Sequence, residues 1–293
     1  MRAAVLGATG FIGRTLVPEL AKRAEVVAVS RSGNAPEADG VRAVAADATD
    51  ATAVRRALDG VDVVYYLVHS LGSANFDEVD KRAAATVAEQ AERADVSQMV
   101  YMGGLGDDAS ELSPHLRSRA DTAAILADGG VPLTTLRAAI VVGRGSAGFE
   151  TIVALVDRLP VMIAPRWVSM PTQPIALDDV VGYLADVGGH SEAIGETFDI
   201  GGPEVLTYRE MIERVSRLRG RRRRIVEVPV LSPRLSSYWL HLVTPVRASV
   251  ARPLVEGLRN PTVARDDRIQ RVLPRELTSF DAAAREALAA QPD

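Results

Sequence analysis

The sequence predicts an α/β fold: a Rossmann-fold doubly wound parallel sheet with a small C-terminal α/β substrate domain. Three observations carry this. Short apolar runs rich in Val, Ile and Tyr lack strict alternation, as strands buried on both faces do. Amphipathic stretches of helical period lie between those runs, which is the rhythm of βαβ units. A glycine-rich turn joins the first run to the first amphipathic stretch.

The strands are expected at 3–7, 26–30, 41–45, 61–68, 98–104 and 132–143, and the helices between them at 11–23, 51–58, 74–94 and 115–128. After about residue 145 the rhythm changes. "GFETIVALVDRLPVMIAP" reads as a helix followed by a short strand, and 175–187 as a helix that opens with Asp178 and Asp179. Thr207, with Glu210 three residues later, forms a capping box ahead of a further helix. Residues 229–277 are punctuated by prolines and read as irregular and helical, and a last amphipathic helix spans 279–290. The expected division is a nucleotide-binding domain over 1–145, rejoined by the chain at about 174–201, and a smaller cleft domain over 146–293.

Composition narrows the function. The chain has 293 residues, 47% of them hydrophobic, ample for a large core. Its net charge of −4 gives no general attraction to nucleic acid. There are no cysteines, which excludes disulfides and thiolate chemistry and suits the cytoplasm. The four histidines are widely separated, so no metal site is expected. "MRAAVLGATG" does not read as a signal peptide, and no apolar run reaches the roughly 18 residues of a membrane span.

"VLGATGFIGRTLVPEL" is the strongest motif. Gly7 permits a tight turn, Gly10 lets backbone amides approach a pyrophosphate, and Gly13 allows close packing of helix on strand. Phosphates then meet the positive end of the helix, and Thr9, Phe11 and Ile12 supply the intervening backbone. The second strand ends in Ser30 and Arg31, where an acid would have bound the ribose hydroxyls of NAD. Both can hydrogen-bond a 2′-phosphate, so NADP is expected over NAD. Asp47, just past the third strand, can accept from the adenine amino group, with Ala48 beneath the ring. Leu67, Val68 and His69 end the fourth strand, where backbone lines the ribose.

Together with "AADATD", "YMGGLG", "TLRAAIVVG", "PIALDDVVGYL" and "FDIGGPEVLTYREM", this motif resembles the atypical, extended short-chain dehydrogenases/reductases. It is similar to the NmrA-like and epimerase-like NAD(P)H-binding proteins of actinobacterial type. The resemblance covers nearly the whole chain. It implies a small-molecule substrate in a cleft at the carboxyl edge of the sheet, and a homodimer formed through the helices at 74–94 and 115–128. It also implies cofactor contacts from Gly103, Ala139 and Ile140.

The superfamily's catalytic set is a serine or threonine after the fifth strand, then Tyr-x-x-x-Lys on the next helix. Here Gly103 and Gly104 stand where the serine is expected, His115 at the tyrosine position and Arg119 at the lysine position. His115 is then the candidate acid or base, and Arg119 the candidate donor to the nicotinamide ribose. Tyrosine-based alcohol–ketone chemistry does not fit this set. Hydride transfer to an activated double bond does, because the cofactor carries that chemistry. NmrA-like relatives include reductases and also nucleotide-sensing regulators that catalyse nothing. Two functions follow: an NADP-dependent oxidoreductase acting on a small apolar substrate, or a non-catalytic NAD(P)H-binding sensor or assembly protein.

Three other stretches stand out. Arg219 and Arg221–Arg224 read as a solvated turn rather than a nucleic-acid patch. "SSYWLHLVTPV" (236–246) reads as packing of the smaller domain. Trp167 and Met170 are candidate cleft walls.

Overall fold

The computed structural model describes residues 1–69, 75–106, 113–228 and 261–289; within these, the side chains at 114–115, 165–167 and 227–228 lie outside the description. Seven strands form one parallel sheet: β1 (Arg2–Leu6), β2 (Glu25–Ser30), β3 (Val41–Ala45), β4 (Val63–Tyr66), β5 (Gln98–Gly104), β6 (Leu133–Ala138) and, later in the chain, β11 (Thr197–Ile200). Their order is β11-β6-β5-β4-β1-β2-β3. The order reverses between β1 and β4, so the crevice of a doubly wound sheet opens at the carboxyl ends of those two strands.

Helices cover both faces. On one lie α1 (Gly13–Ala21) and α6 (Leu177–Val187), packing Leu16, Leu20, Val180 and Leu184 against Val5, Val100 and Leu136. On the other lie α2 (Ala51–Ala57), α3 (Phe76–Arg93) and α4 (Pro114–Ala127), packing Val54, Val87 and Leu126 against Val64, Tyr66 and Tyr101. Successive strand residues feed opposite faces, which is why the runs show no alternation.

Local chemistry sets several helix starts. Asp50 accepts from the Thr52 and Ala53 amides at 3.0 and 3.1 Å, and Ser113 from the Leu116 amide at 3.3 Å. Pro114 sits at the start of α4, where its missing amide costs nothing. The expected capping box is present: Thr207 and Glu210 bond reciprocally at the start of α7 (Tyr208–Leu218).

A third apolar cluster lies beyond the sheet. Here α5 (Ala147–Arg158), α7 and a C-terminal helix (Phe280–Ala289) bring together Phe149, Ile152, Met211, Val215 and Phe280. Four short strands accompany it: β7 (Val141–Val142), β8 (Val161–Pro165), β9 (Pro171–Thr172) and β10 (Ile175–Ala176). They pair as β7 with β10, β9 with β12 (Leu206–Thr207), and β8 with β13 (Arg224–Val228).

Three sequence expectations need correction. The single strand over 132–143 is broken: β6 ends at Ala138, Ala139 and Ile140 leave the sheet, and β7 pairs elsewhere with β10. Continuous β-propensity hid a change of sheet. The first helix begins at Gly13 rather than at 11, because the preceding residues form the turn. Residues 175–176 are strand, and the helix starts one residue later.

The arginine run is more than a solvated turn. Arg219 pairs with Asp157 at 3.0 Å, and Arg223 donates to the Val156 carbonyl at 2.6 Å, neutralising the C-terminal end of α5. The 236–246 segment and residues 229–260 generally lie outside the described residues. Asp179 is buried and accepts from the Thr278 amide at 2.8 Å, so this acid straps the C-terminal segment down. Among the described residues no helix is long and apolar enough to cross a membrane, and no cluster of His, Asp and Glu suits a metal ion.

Candidate functional site

The glycine turn sits at the switch of strand order. Gly7 has φ +90, a left-handed conformation that side chains rarely adopt, and a Cβ there would also lie 2.9 Å from the Leu67 carbonyl oxygen. At Gly13 a Cβ would fall 2.2 Å from the Gly7 oxygen, so only glycine lets α1 come this close to β1. Gly10 differs: it is exposed, and a Cβ would meet only the Gly7 oxygen, at 3.1 Å. Its bare outer side leaves room for a pyrophosphate to approach the backbone. Ile12 occupies the N-cap of α1 with no side-chain capping bond, so no side chain competes with a phosphate for the first amides. Thr9 is exposed and Phe11 half-buried, both on the turn. These features fit a dinucleotide.

Arg31 is exposed at the end of β2. The Ser30 hydroxyl is buried and donates to the Asn34 carbonyl at 2.7 Å, so it shapes the turn and offers an incoming group only its lone pairs. Asp47 takes the Thr49 hydroxyl and amide at 2.7 and 2.8 Å. Those bonds hold its carboxyl below the ordinary value, and the charges of Arg31 and Arg82 add to the effect. Arg82, on α3, went unnoticed in the sequence; it is a second cation beside the expected adenine end, 51 residues from Arg31 along the chain (82 − 31). Ala48 is half-buried beside Asp47.

Leu67, Val68 and His69 follow β4 at the crevice. The Leu67 amide donates to the Leu6 carbonyl at 3.0 Å, extending the β1–β4 ladder past the strand and bringing Leu67 to Gly7. His69 does more than lend backbone. Its Nδ1 lies 2.8 Å from the Asp80 carboxylate, in a pair whose side chains are 18% and 3% exposed. Burial pushes the imidazole below its ordinary value; Asp80 opposes that shift and Arg119 adds to it. At neutral pH His69 is therefore uncharged, with Nδ1–H directed at Asp80. Asp80 was also missed in the sequence, being read only as part of a helix.

Arg119, half-buried on α4, lies with its guanidinium 5.0 Å from the centre of the Tyr101 ring, and the Tyr101 hydroxyl donates to the Arg119 carbonyl at 3.2 Å. The structure thus gathers Arg119, His69 and Asp80 around Tyr66 and Tyr101. Burial pushes both phenols up, so both stay protonated and give up a proton less readily than an ordinary phenol. His115 lies in the first turn of α4, and its side chain is outside the described residues. Gly103, one residue before the end of β5, is in register with Arg137. Ala139 and Ile140 follow β6, where the Ile140 carbonyl accepts the Ile175 amide at 3.0 Å.

Uncharged His69 is favoured in the fold, so the stability it contributes is present above pH 6.5 and is lost as the pH falls through its lowered value. Between pH 7 and 5 the melting temperature of the wild type should fall further than that of His69→Gln. Equal falls would place the responsible group elsewhere.

A glycine turn at the switch of strand order, with two cations beside Asp47 past the third strand, has the form of a dinucleotide-binding fold. Residues 7–150 match the family described as NAD(P)H-binding. That segment matches an NAD(P)H-binding domain, and the chain shares its fold with an NADPH-dependent quinone oxidoreductase and a nucleoside-diphosphate-sugar epimerase.

Among relatives, the chain is 29% identical over 241 residues to the (4-alkanoyl-5-oxo-2,5-dihydrofuran-3-yl)methyl phosphate reductase of Streptomyces griseus, covering 77% of each chain. It is 24% identical over 225 residues to the mitochondrial NADH dehydrogenase [ubiquinone] 1 alpha subcomplex subunit 9 of Arabidopsis thaliana, covering 72% of this chain. It spans only 56% of that subunit, and 23% of the three uncharacterised mycobacterial relatives it also matches. Among solved structures it superposes on the NADPH-dependent quinone oxidoreductase QOR2 of Escherichia coli in complex with NADPH. There the TM-score is 0.78 at 19% identity, over 97% of this chain and 98% of the other.

Proposed function

We propose that the protein is an NADPH-dependent reductase of a small conjugated acceptor such as a quinone or an enone. What supports this is the glycine turn at Gly7, Gly10 and Gly13 in a chain that lacks the serine and tyrosine of alcohol–ketone chemistry at the positions the family resemblance assigns to them. Gly7–Gly13 and the start of α1 would hold the pyrophosphate, Arg31 the 2′-phosphate, Asp47 the adenine and Arg119 the nicotinamide ribose, with residues 146–293 forming the substrate side of the cleft. Bound NADPH supplies a hydride, leaving NADP⁺. A conjugated acceptor that takes hydride at carbon passes an electron pair to its carbonyl oxygen. It then needs a hydrogen-bond donor to that oxygen and a proton, which water can supply, so no phenol is required. The His69–Asp80 pair, within the field of Arg119, stands as a candidate proton-holding group, and His115, in the first turn of α4, as another. The Streptomyces reductase and the quinone oxidoreductase, both named for acceptors of this electronic kind, support the reading.

The test is NADPH oxidation at 340 nm with 1,4-naphthoquinone and with an alkyl enone. Turnover with either, and none with a simple secondary alcohol and NADP⁺, is expected. The second reading, a non-catalytic NAD(P)H-binding protein, is favoured by the likeness to the respiratory subunit. It would prevail if NADPH binds tightly and no acceptor oxidises it.

A further inference from the structure

The carboxyl end of β6 carries a charge that the proposed chemistry has not yet used. Arg137 is in register with Gly103 on one side and with Asp199 on the other, so all three share one face of the sheet, the face covered by α3 and α4. Asp199 is 3% exposed. A carboxylate buried that deeply must be compensated, and it is: it accepts from Arg137 Nε at 2.7 Å and from the Arg265 amide at 3.1 Å. The guanidinium is thereby locked in place through one nitrogen. Its two terminal nitrogens meet no acceptor among the described residues, and the side chain keeps 28% exposure. A plain structural ion pair would spend the planar fork on both carboxylate oxygens. Here the backbone of residue 265 takes one of those oxygens instead.

The surroundings reinforce the point. A Cβ on Gly103 would lie 3.5 Å from Arg137 Cγ. Gly103, where the resemblance expects the serine, and Arg137 are therefore neighbours on the same face of the sheet, at its carboxyl edge.

We propose that Arg137, positioned by Asp199, is an oxyanion-binding group of the substrate cleft, taking an acceptor that carries an anionic oxygen. A carboxylate, sulfonate, phosphate or enolate oxygen has the shared chemistry. This rests on the reductase reading for the location of the cleft, but its test needs no turnover.

The probes are 1,4-naphthoquinone-2-sulfonate and neutral 1,4-naphthoquinone; the chain has no cysteine to react with either. Their binding is measured by calorimetry on protein saturated with NADP⁺, where no hydride is available. The sulfonate is expected to bind at least about tenfold more tightly than the neutral quinone, and Arg137→Gln should bring the two affinities together. Because that variant leaves Asp199 without its partner, the double variant Arg137→Gln/Asp199→Asn is measured beside it. NADPH affinity and melting temperature serve as the folding control. Equal affinities in the wild type, or a sulfonate preference that survives in the folded double variant, would overturn the proposal. A preference seen without any NADPH oxidation would sustain the site and overturn the reductase reading alone.

Discussion

Gly13→Ala is expected to cost about 3 kcal/mol of stability, the upper end of ordinary overpacking, and to abolish nucleotide binding. The added Cβ would sit 2.2 Å from the Gly7 oxygen and 2.9 Å from the Ala8 Cα, so backbone must move. Alanine's better helix propensity offsets only about 1 kcal/mol. Gly10→Ala adds the same methyl group with the opposite balance. Its one close neighbour is at 3.1 Å, so folding should survive nearly intact. The methyl group then occupies the pyrophosphate's approach, and NADPH affinity should fall at least about tenfold, or 1.4 kcal/mol. Thermal unfolding and fluorescence titration of the two variants check the contrast. If both variants lose stability equally, Gly10 is a packing residue and the cradle has been assigned to the wrong side of the turn.

Arg31→Ala is expected to weaken NADPH binding by roughly 10- to 100-fold, the range of one charge-assisted hydrogen-bonding partner, while NADH binding stays within about twofold. Selectivity rather than affinity is the decisive readout, since a general loss of fold would lower both. Arg82 acts on Asp47 with the smaller effect of the two cations, so Arg82→Ala should produce a smaller loss in the same direction. Equal loss for both nucleotides in Arg31→Ala would make the residue a general contributor to the electrostatic field. No loss for either would leave it a solvated loop charge.

The parts of the fold written in short windows were legible without a structure. The runs that became β1, β2 and β4 announce themselves by apolar residues, valine foremost, whereas the edge strand β3 carries Arg42 in its middle. Thr207 and Glu210 close a capping box within three residues, and Gly7 to Gly13 need only each other and Leu67 to dictate their turn. What could not be read depends on which strand lies beside which. The His69–Asp80 pair joins a strand end to a helix, and nothing in the intervening residues says that the two meet. Arg137 and Asp199 lie 62 residues apart and become partners only because β6 and β11 pair in register. The break at Ala139 is equally silent, because Val141 and Val142 have the same strand propensity whichever sheet receives them.

The sequence by itself determined the glycine turn, which follows from residue types at local spacing, while the absence of the serine and tyrosine is read through the family resemblance. Only the tertiary structure decided which charges face the cleft. Hydrogen bonds and ion pairs act over about 3 Å of space, and that distance is set by sheet order and helix packing rather than by position along the chain.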